Sequence, residues 1–387
     1  MMAKPDWLDL AVCKKALNAL GADKLRFVGG CVRDTLLNIP VVDIDACTPL
    51  LPERVMTLLE VAGIKVIPTG IEHGTVTAFY DGRTVEITTL REDIRPIGNR
   101  HADVAFTDDW DIDALRRDLT MNAIYMDGQG DIYDPLNGLG DLKAGIVRFI
   151  GDAEVRIGED ALRILRFFRF YAHYGQGEVD EGGLRACEKL RESLMVLSIE
   201  RVRDELFKIL YAPDPSVVLT LMERCGILDI ILPEALSGIH SVSNLQDFIA
   251  KEQSAPVPVA RLIALLPLTD KVVTNVSKRL KLSKKEQAFM RGVIAAVNVY
   301  DGTATHKSLR ALYYHGRDMA YNGCMLAGGD VEVLLSMEMP IFSITGKDLM
   351  DHGMKAGPQM GAMLKGLETE WLDSAATLSR DDLLSKV

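Results

Sequence analysis

The hydrophobic pattern of this chain changes period near residue 142, and that change restricts the fold more than any other feature. Before it, short apolar runs alternate with helical stretches. Leu25–Val28 and Val41–Ala46 read as strands, Val32–Leu37 and Arg54–Val61 as helices, and Lys65–Ile67 as extended. Thr75–Tyr80 and Thr84–Thr89 read as a hairpin around Asp81-Gly82, a dipeptide suited to a tight turn. Residues 91–114 are polar and read as an irregular loop followed by a helix start, with a further strand and turn at Ile124–Pro135. After the change, helical periodicity dominates, as in Glu159–Tyr174, Ile199–Leu210 and Ser216–Cys225. Strands early and helices late predict an α+β chain. The expected division is a head over 1–141, a helical neck over 142–235, and a helical body and tail over 236–387.

With 387 residues, 48% of them hydrophobic, the chain can bury a large core in two or three domains. No window approaches the apolar run of a membrane span. The first twenty residues carry Lys4, Asp6 and Asp9 and read as an amphipathic helix (Leu8, Val12, Ala16, Leu20), not a signal peptide. The six cysteines are scattered with no CxxC pair, so buried thiols in a reducing cytoplasm are expected. Net charge is −11, yet residues 271–291 carry seven Lys/Arg and one Glu. Lys278, Arg279, Lys281, Lys284 and Lys285 in that stretch form a candidate RNA-binding surface. A solvated helix face would look the same.

Chemistry concentrates in the head. Phe27-Val28-Gly29-Gly30-Cys31-Val32-Arg33-Asp34 runs strand, turn, helix. Gly29 and Gly30 let backbone approach a phosphate at a helix start, and Arg33 can add a fork of donors. A structural turn gives the same residues. Val42-Asp43-Ile44-Asp45 then puts two carboxylates at i and i+2, on one face if this is a strand. Such a pair is costly unless a cation lies between them. Magnesium (Mg2+), hard and shared with substrate phosphates, is the expected ion at Asp43 and Asp45. Glu86 in the apolar strand Val85–Thr88 can face the pair from a neighbouring strand. Three such carboxylates suit nucleotidyl transfer, in which metal ions bridge triphosphate and attacking hydroxyl.

Asp160, Arg163, Arg166 and Arg169 recur every three residues, neighbours on one face of a helix. The residues between them are mostly apolar, so the stripe is expected to line a cleft. Four blocks now resemble one family: GGCVRDTLLNIPVVDID, VEITTLR at 85–91, RRDLTMNA at 116–123 and EDALRILRFFRF at 159–170. They resemble the class II branch of the polymerase-β-like nucleotidyltransferases, which holds tRNA CCA-adding enzymes and bacterial poly(A) polymerases. The resemblance covers roughly residues 25–170. It implies a nucleotidyltransferase head on a mixed sheet, with Asp43, Asp45 and Glu86 catalytic. It implies that Asp160 and Arg163 read the edge of the incoming base, and that Arg166 and Arg169 hold nucleotide or primer phosphate. Arg117 would contact nucleotide, with Asp118 and Asn122 near its ribose; Asn122 as a structural cap is an equal reading. The stretch after Arg91 has the position of a loop that helps switch from C to A addition.

The resemblance implies tRNA, CTP and ATP as partners, the helical half gripping the acceptor stem. No membrane and no obligate protein partner are expected. Three functions compete: CCA addition to tRNA, poly(A) polymerisation from ATP alone, and an inactive RNA-binding relative. Intact Asp43, Asp45 and Glu86 oppose the last. The chain ends at LSRDDLLSKV without a strongly basic extension, which favours CCA addition.

Overall fold

The computed structural model describes residues 4–94, 103–237, 241–300 and 305–387. The chain divides into two compact units, Met1–Leu194 and Met195–Val387.

In the first unit a short 3-10 turn, Asp6–Asp9, leads into helix α1, Ala11–Leu20. Leu8, Val12, Ala16 and Leu20 are all buried, as their spacing predicts. Strand β1 (Arg26–Val28) and helix α2 (Gly30–Leu36) flank the glycine turn, and β2 spans Asp45–Thr48. Helix α3 (Pro52–Val61) precedes β3 (Lys65–Gly70), β4 (Thr75–Tyr80) and β5 (Arg83–Thr89). The β4–β5 hairpin closes through Asp81 and Gly82, both with positive φ (51° and 73°). That is the backbone a two-residue turn requires to match the strand twist.

Two short strands, β6 (Arg91–Ile94) and β7 (Asp103–Phe106), pair antiparallel ahead of helix α4, Trp110–Leu115. The expected irregular loop over 91–114 is therefore a ribbon at both described ends; its middle, 95–102, lies outside the described residues. Side-chain polarity hid this ribbon, because its ladder is made by backbone groups alone. Strands β8 (Tyr125–Met126) and β9 (Ile132–Tyr133) complete a seven-stranded sheet in the order β3-β4-β5-β2-β1-β8-β9. Every pairing is antiparallel except β2 with β5, so the sheet is mixed.

Helices α5 (Gly138–Ala144), α6 (Ala153–Glu159), α7 (Leu162–Tyr174) and α8 (Glu181–Lys189) follow. The expected continuous helix over Glu159–Tyr174 is broken: Asp160 is extended (φ −152°) and caps α6. Its carboxylate accepts the Leu162 amide at 3.1 Å, competing with helical continuation. On α7, Ile164, Leu165, Phe167, Phe168 and Phe170 are buried. Phe167 stacks on Phe149 at 5.3 Å and meets Phe168 edge-on at 5.5 Å. Burial of each such ring stabilises by roughly 1.5–3 kcal/mol, so α7 is held firmly and its remaining face is presented reproducibly.

Every element of the second unit's described residues is helical, beginning with α9, Ile199–Leu210. Arg261, fully buried, donates to the carbonyls of Leu210, Ala212 and Pro213 and to both oxygens of Glu252. It thereby satisfies carbonyls at the end of α9 that have no helical partner. The helix Lys284–Val299 starts at a reciprocal cap between Ser283 and Glu286. A separate apolar cluster gathers Leu349, Leu367, Trp371, Leu372 and Leu383.

Candidate active site

The parallel pairing of β2 with β5 sets Asp45 directly opposite Glu86. Asp43 is exposed and lies two residues before β2, so the expected strand Val41–Ala46 begins late. Pro40 has no amide hydrogen for a ladder, and Val42 is 83% exposed. The backbone becomes sheet-like only where Ile44 accepts the Glu86 amide at 2.9 Å. Asp45 and Glu86 are therefore brought together by register; Asp43 comes near from the preceding connection. Burial pushes the Asp45 carboxyl up to about 6, with Glu86 and Asp43 adding repulsion and Arg117 opposing it. A half-buried carboxylate among carboxylates is electrostatically unfinished, and a divalent cation would complete it. Among the described residues no three His, Cys, Asp or Glu side chains form a ready metal cage. Oxygen donors on this pattern fit a hard cation that takes its other ligands from substrate phosphate and water.

Asp45 opens onto a cavity of about 220 Å³ lined also by Gly29, Thr75, Thr88, Arg91, Arg116 and Arg117. Gly29 has φ 73° and ψ −127°, a left-handed conformation that a side chain disfavours. A Cβ at Gly30 would meet only the end of Arg33 at an ordinary 3.8 Å, so the turn's conformational demand falls on Gly29. The cavity thus has the Asp45 carboxylate from β2 on one side, a backbone approach at Gly29, and a cationic wall from Arg91, Arg116 and Arg117.

Arg33 does not reach this cavity's lining. It is buried, and its nitrogens donate to Asp34 (2.9 Å), Asn122 (2.8 Å) and the Tyr174 hydroxyl (2.8 Å). Asn122 donates in turn to Asp118 at 3.2 Å, and Asp118 accepts from Arg166 at 2.5 Å. Burial would raise the Asp118 carboxyl, but Arg166 and Asn122 hold it below its ordinary value. A continuous chain therefore ties α2, the 120–122 turn and α7 together, with Arg33, Asn122 and Asp118 inside it. Arg33, Arg166 and Arg169 also sit within 4.6–5.5 Å of the Phe170 ring, packed as cations on its face or edge.

Arg163 donates to Glu159, to the Arg156 carbonyl at 3.0 Å and to the Arg116 carbonyl at 3.3 Å. Asp160 precedes α7 instead of lying on it, while Arg163, Arg166 and Arg169 share its half-buried face. Three contributors went unnoticed in the sequence. Glu159 braces Arg163, Asp113 braces Arg116 and Arg117, and Arg91 lines the cavity. The i+3 and i+4 spacing of Asp113 to the arginine pair was the available signal.

In the second unit Lys278, Arg279, Lys281, Lys284 and Lys285 are all exposed. Arg279 pairs with Glu234 at 3.1 Å and Lys281 with Glu200 at 2.7 Å. All six cysteines are buried and none forms a disulfide. Among the described residues no helix is long and apolar enough to cross a membrane.

A mixed sheet that sets carboxylates of adjacent parallel strands beside a glycine turn and a cationic wall has the architecture of a nucleotidyltransferase head. Comparison with known proteins agrees. Residues 25–148 match the family described as Poly A polymerase head domain, and 178–238 match the probable RNA and SrmB-binding site of polymerase A. The mitochondrial CCA tRNA nucleotidyltransferase 1 of Mus musculus is 34% identical over 94% of this chain and 86% of its own. The CCA-adding enzyme of Lactobacillus johnsonii is 32% identical, covering 93% and 91%. The structure of the Bacillus stearothermophilus CCA-adding enzyme in complex with CTP superposes with a TM-score of 0.73 at 26% identity, covering 94% of both chains. The Thermotoga maritima CCA-adding enzyme complexed with tRNA shares the fold, with a TM-score of 0.74 at 20% identity, covering 96% of this chain and 93% of that one. This chain belongs to the family of CCA-adding tRNA nucleotidyltransferases. Membership implies dependence on a divalent cation.

Proposed function

We propose that this protein adds C, C and A to the 3′ end of tRNA from CTP and ATP, releasing pyrophosphate. The observation that carries it is the single cavity shared by Asp45, Gly29, Arg116 and Arg117, with Glu86 opposite Asp45. Asp43 and Asp45 would hold the cation, which we take to be magnesium, with Glu86 as third ligand or orienting neighbour. When bound, that cation lowers the pKa of the RNA 3′-hydroxyl and offsets charge on the leaving pyrophosphate. The hydroxyl oxygen bonds to the α-phosphorus as the bond to the α–β bridging oxygen breaks; pyrophosphate leaves with that oxygen, and the hydroxyl proton passes to solvent water. Gly29 admits the triphosphate close to the backbone, and Arg91, Arg116 and Arg117 neutralise it. Arg33, Asp118 and Asn122 orient the nucleotide site from within, and Arg166 and Arg169 add cationic support from α7.

Asp160 and Arg163 read the base. Cytosine and adenine each offer an exocyclic amine beside a ring nitrogen acceptor. An aspartate accepts from the amine while an arginine donates to the ring nitrogen. Uracil and guanine reverse this pattern and leave both protein groups unpaired, a costly state in a half-buried site. Glu159 and the Arg156 carbonyl hold Arg163 in place for this task.

The exposed lysines of the second unit grip tRNA phosphates, as duplex RNA is recognised largely through shape and backbone. Six buried thiols outside any disulfide suit a reducing compartment, and we place the protein in the cytoplasm. An Asp43→Ala variant tests the site. It is expected to keep native circular dichroism and lose nucleotide incorporation, and near-normal incorporation would remove Asp43 from the cation site.

A further inference from the structure

Asp113 is not part of the cavity lining, yet it holds two of the arginines assigned to the triphosphate above. It is fully buried, while the side chains of Arg116 and Arg117 are 15% and 17% exposed at the cavity. Its Oδ1 accepts from Arg116 Nε at 2.8 Å and Nη2 at 2.7 Å, with the Arg91 amide at 3.4 Å. Its Oδ2 accepts from Arg117 Nη2 at 3.0 Å and from the Tyr125 hydroxyl at 2.8 Å. Arg116 caps the end of α4 and Arg117 lies in the bend beyond it, so helical geometry does not by itself aim these adjacent side chains at one cavity. Standing three and four residues before them, Asp113 gathers both guanidiniums to one side.

We propose that Asp113 is a positioning residue for nucleotide binding, aiming Arg116 and Arg117 at the triphosphate beside Asp45. It rests on the reading of this cavity as the nucleotidyl-transfer site. Burial alone would neutralise Asp113, but the two guanidiniums hold it ionised. One carboxylate against two guanidiniums leaves the wall net cationic, so it can brace both and still attract phosphate. Arg116 also offers its carbonyl to Arg163 at 3.3 Å, so the same turn reaches the base-reading side.

Asp113→Asn keeps the volume and removes the charge. The test measures the KM for CTP and the inhibition constants of pyrophosphate and of cytidine in primer extension by the full chain. Pyrophosphate probes the phosphate wall alone, and cytidine probes the base and sugar sites alone. The CTP and pyrophosphate constants are expected to rise about tenfold, the net worth of one charge-assisted hydrogen bond, with cytidine unchanged. An equal rise for cytidine, or no rise for pyrophosphate, overturns the proposal. Tyr125→Phe keeps the ring under Arg117 and removes the hydroxyl that donates to Asp113 at 2.8 Å and accepts from Arg117 Nε at 3.3 Å, so it loosens the same brace and is the variant to use if Asp113→Asn fails to fold. It is expected to show the same selective pattern at about threefold; an unselective or absent effect overturns the proposal equally. A wild-type chain that incorporates no nucleotide would instead sink the reading on which this one rests.

Discussion

Removing the charge of Asp45 should stabilise the cation-free protein while it ends catalysis. The Asp45 carboxyl moves from 3.8 to about 6, chiefly through burial and then through Glu86. The folded state therefore holds this proton to higher pH than the unfolded chain. Stability falls as pH rises from about 4 to 6 and stays lowered above that. The shift of about two units corresponds to ~3 kcal/mol at pH 7 and above, and linkage leaves roughly half of that at pH 5. Because Asp45 borders a cavity, these are upper values. In Asp45→Asn the penalty is gone, so the variant gains most at high pH. For a unit of this size about 2–4 °C accompanies each kcal/mol, so a gain of several degrees in Tm is expected at pH 8 and a smaller one at pH 5. The assay is calorimetry of chelator-treated wild type and variant at both pH values. Adding a divalent cation should then raise the wild-type Tm and leave the variant's unmoved. A variant no more stable than wild type at pH 8, or an equal gain at both pH values, would refute the electrostatic account of this site.

Two further outcomes follow from the site and the second unit. Arg163→Ala should admit UTP and GTP more than it weakens cation binding, read by incorporation with each nucleotide singly; continued exclusion of both would show that selection lies elsewhere. Neutralising Lys278, Lys284 and Lys285 together should weaken tRNA binding and flatten its salt dependence by roughly one unit of slope per lost phosphate contact. Lys281 and Arg279 should contribute less because Glu200 and Glu234 already engage them, and an unchanged slope in the triple variant would move the RNA surface elsewhere.

The elements easiest to read in the sequence were those that local chemistry dictates. Asp81-Gly82 announced the β4–β5 hairpin because left-handed backbone favours those residues, and the apolar strand around Glu86 lies beside Asp45 as expected. The failures have local causes too. An i, i+3 repeat at Asp160 and Arg163 cannot reveal that Asp160 leaves the helix to cap it. A stretch such as Val41–Ala46, with Val41, Val42 and Ile44 around its carboxylates, looks like a strand whether or not its backbone finds a partner. Arg33 read as a phosphate ligand because its partners, Asn122 and Tyr174, lie 89 and 141 residues away and only the fold brings them near. Basic residues at 279 and 281 read as free cations for the same reason, their acidic partners at 234 and 200 being remote in sequence.

The central claim is that one site adds C, C and A in order, reading cytosine and adenine with the same pair of side chains. Purified protein should be incubated with tRNA lacking its last three nucleotides, with CTP alone, ATP alone, and both. The account predicts growth by two residues with CTP, completion of the third only when ATP is also present, and then arrest. Extended tailing with ATP alone would contradict it and assign the protein to poly(A) synthesis.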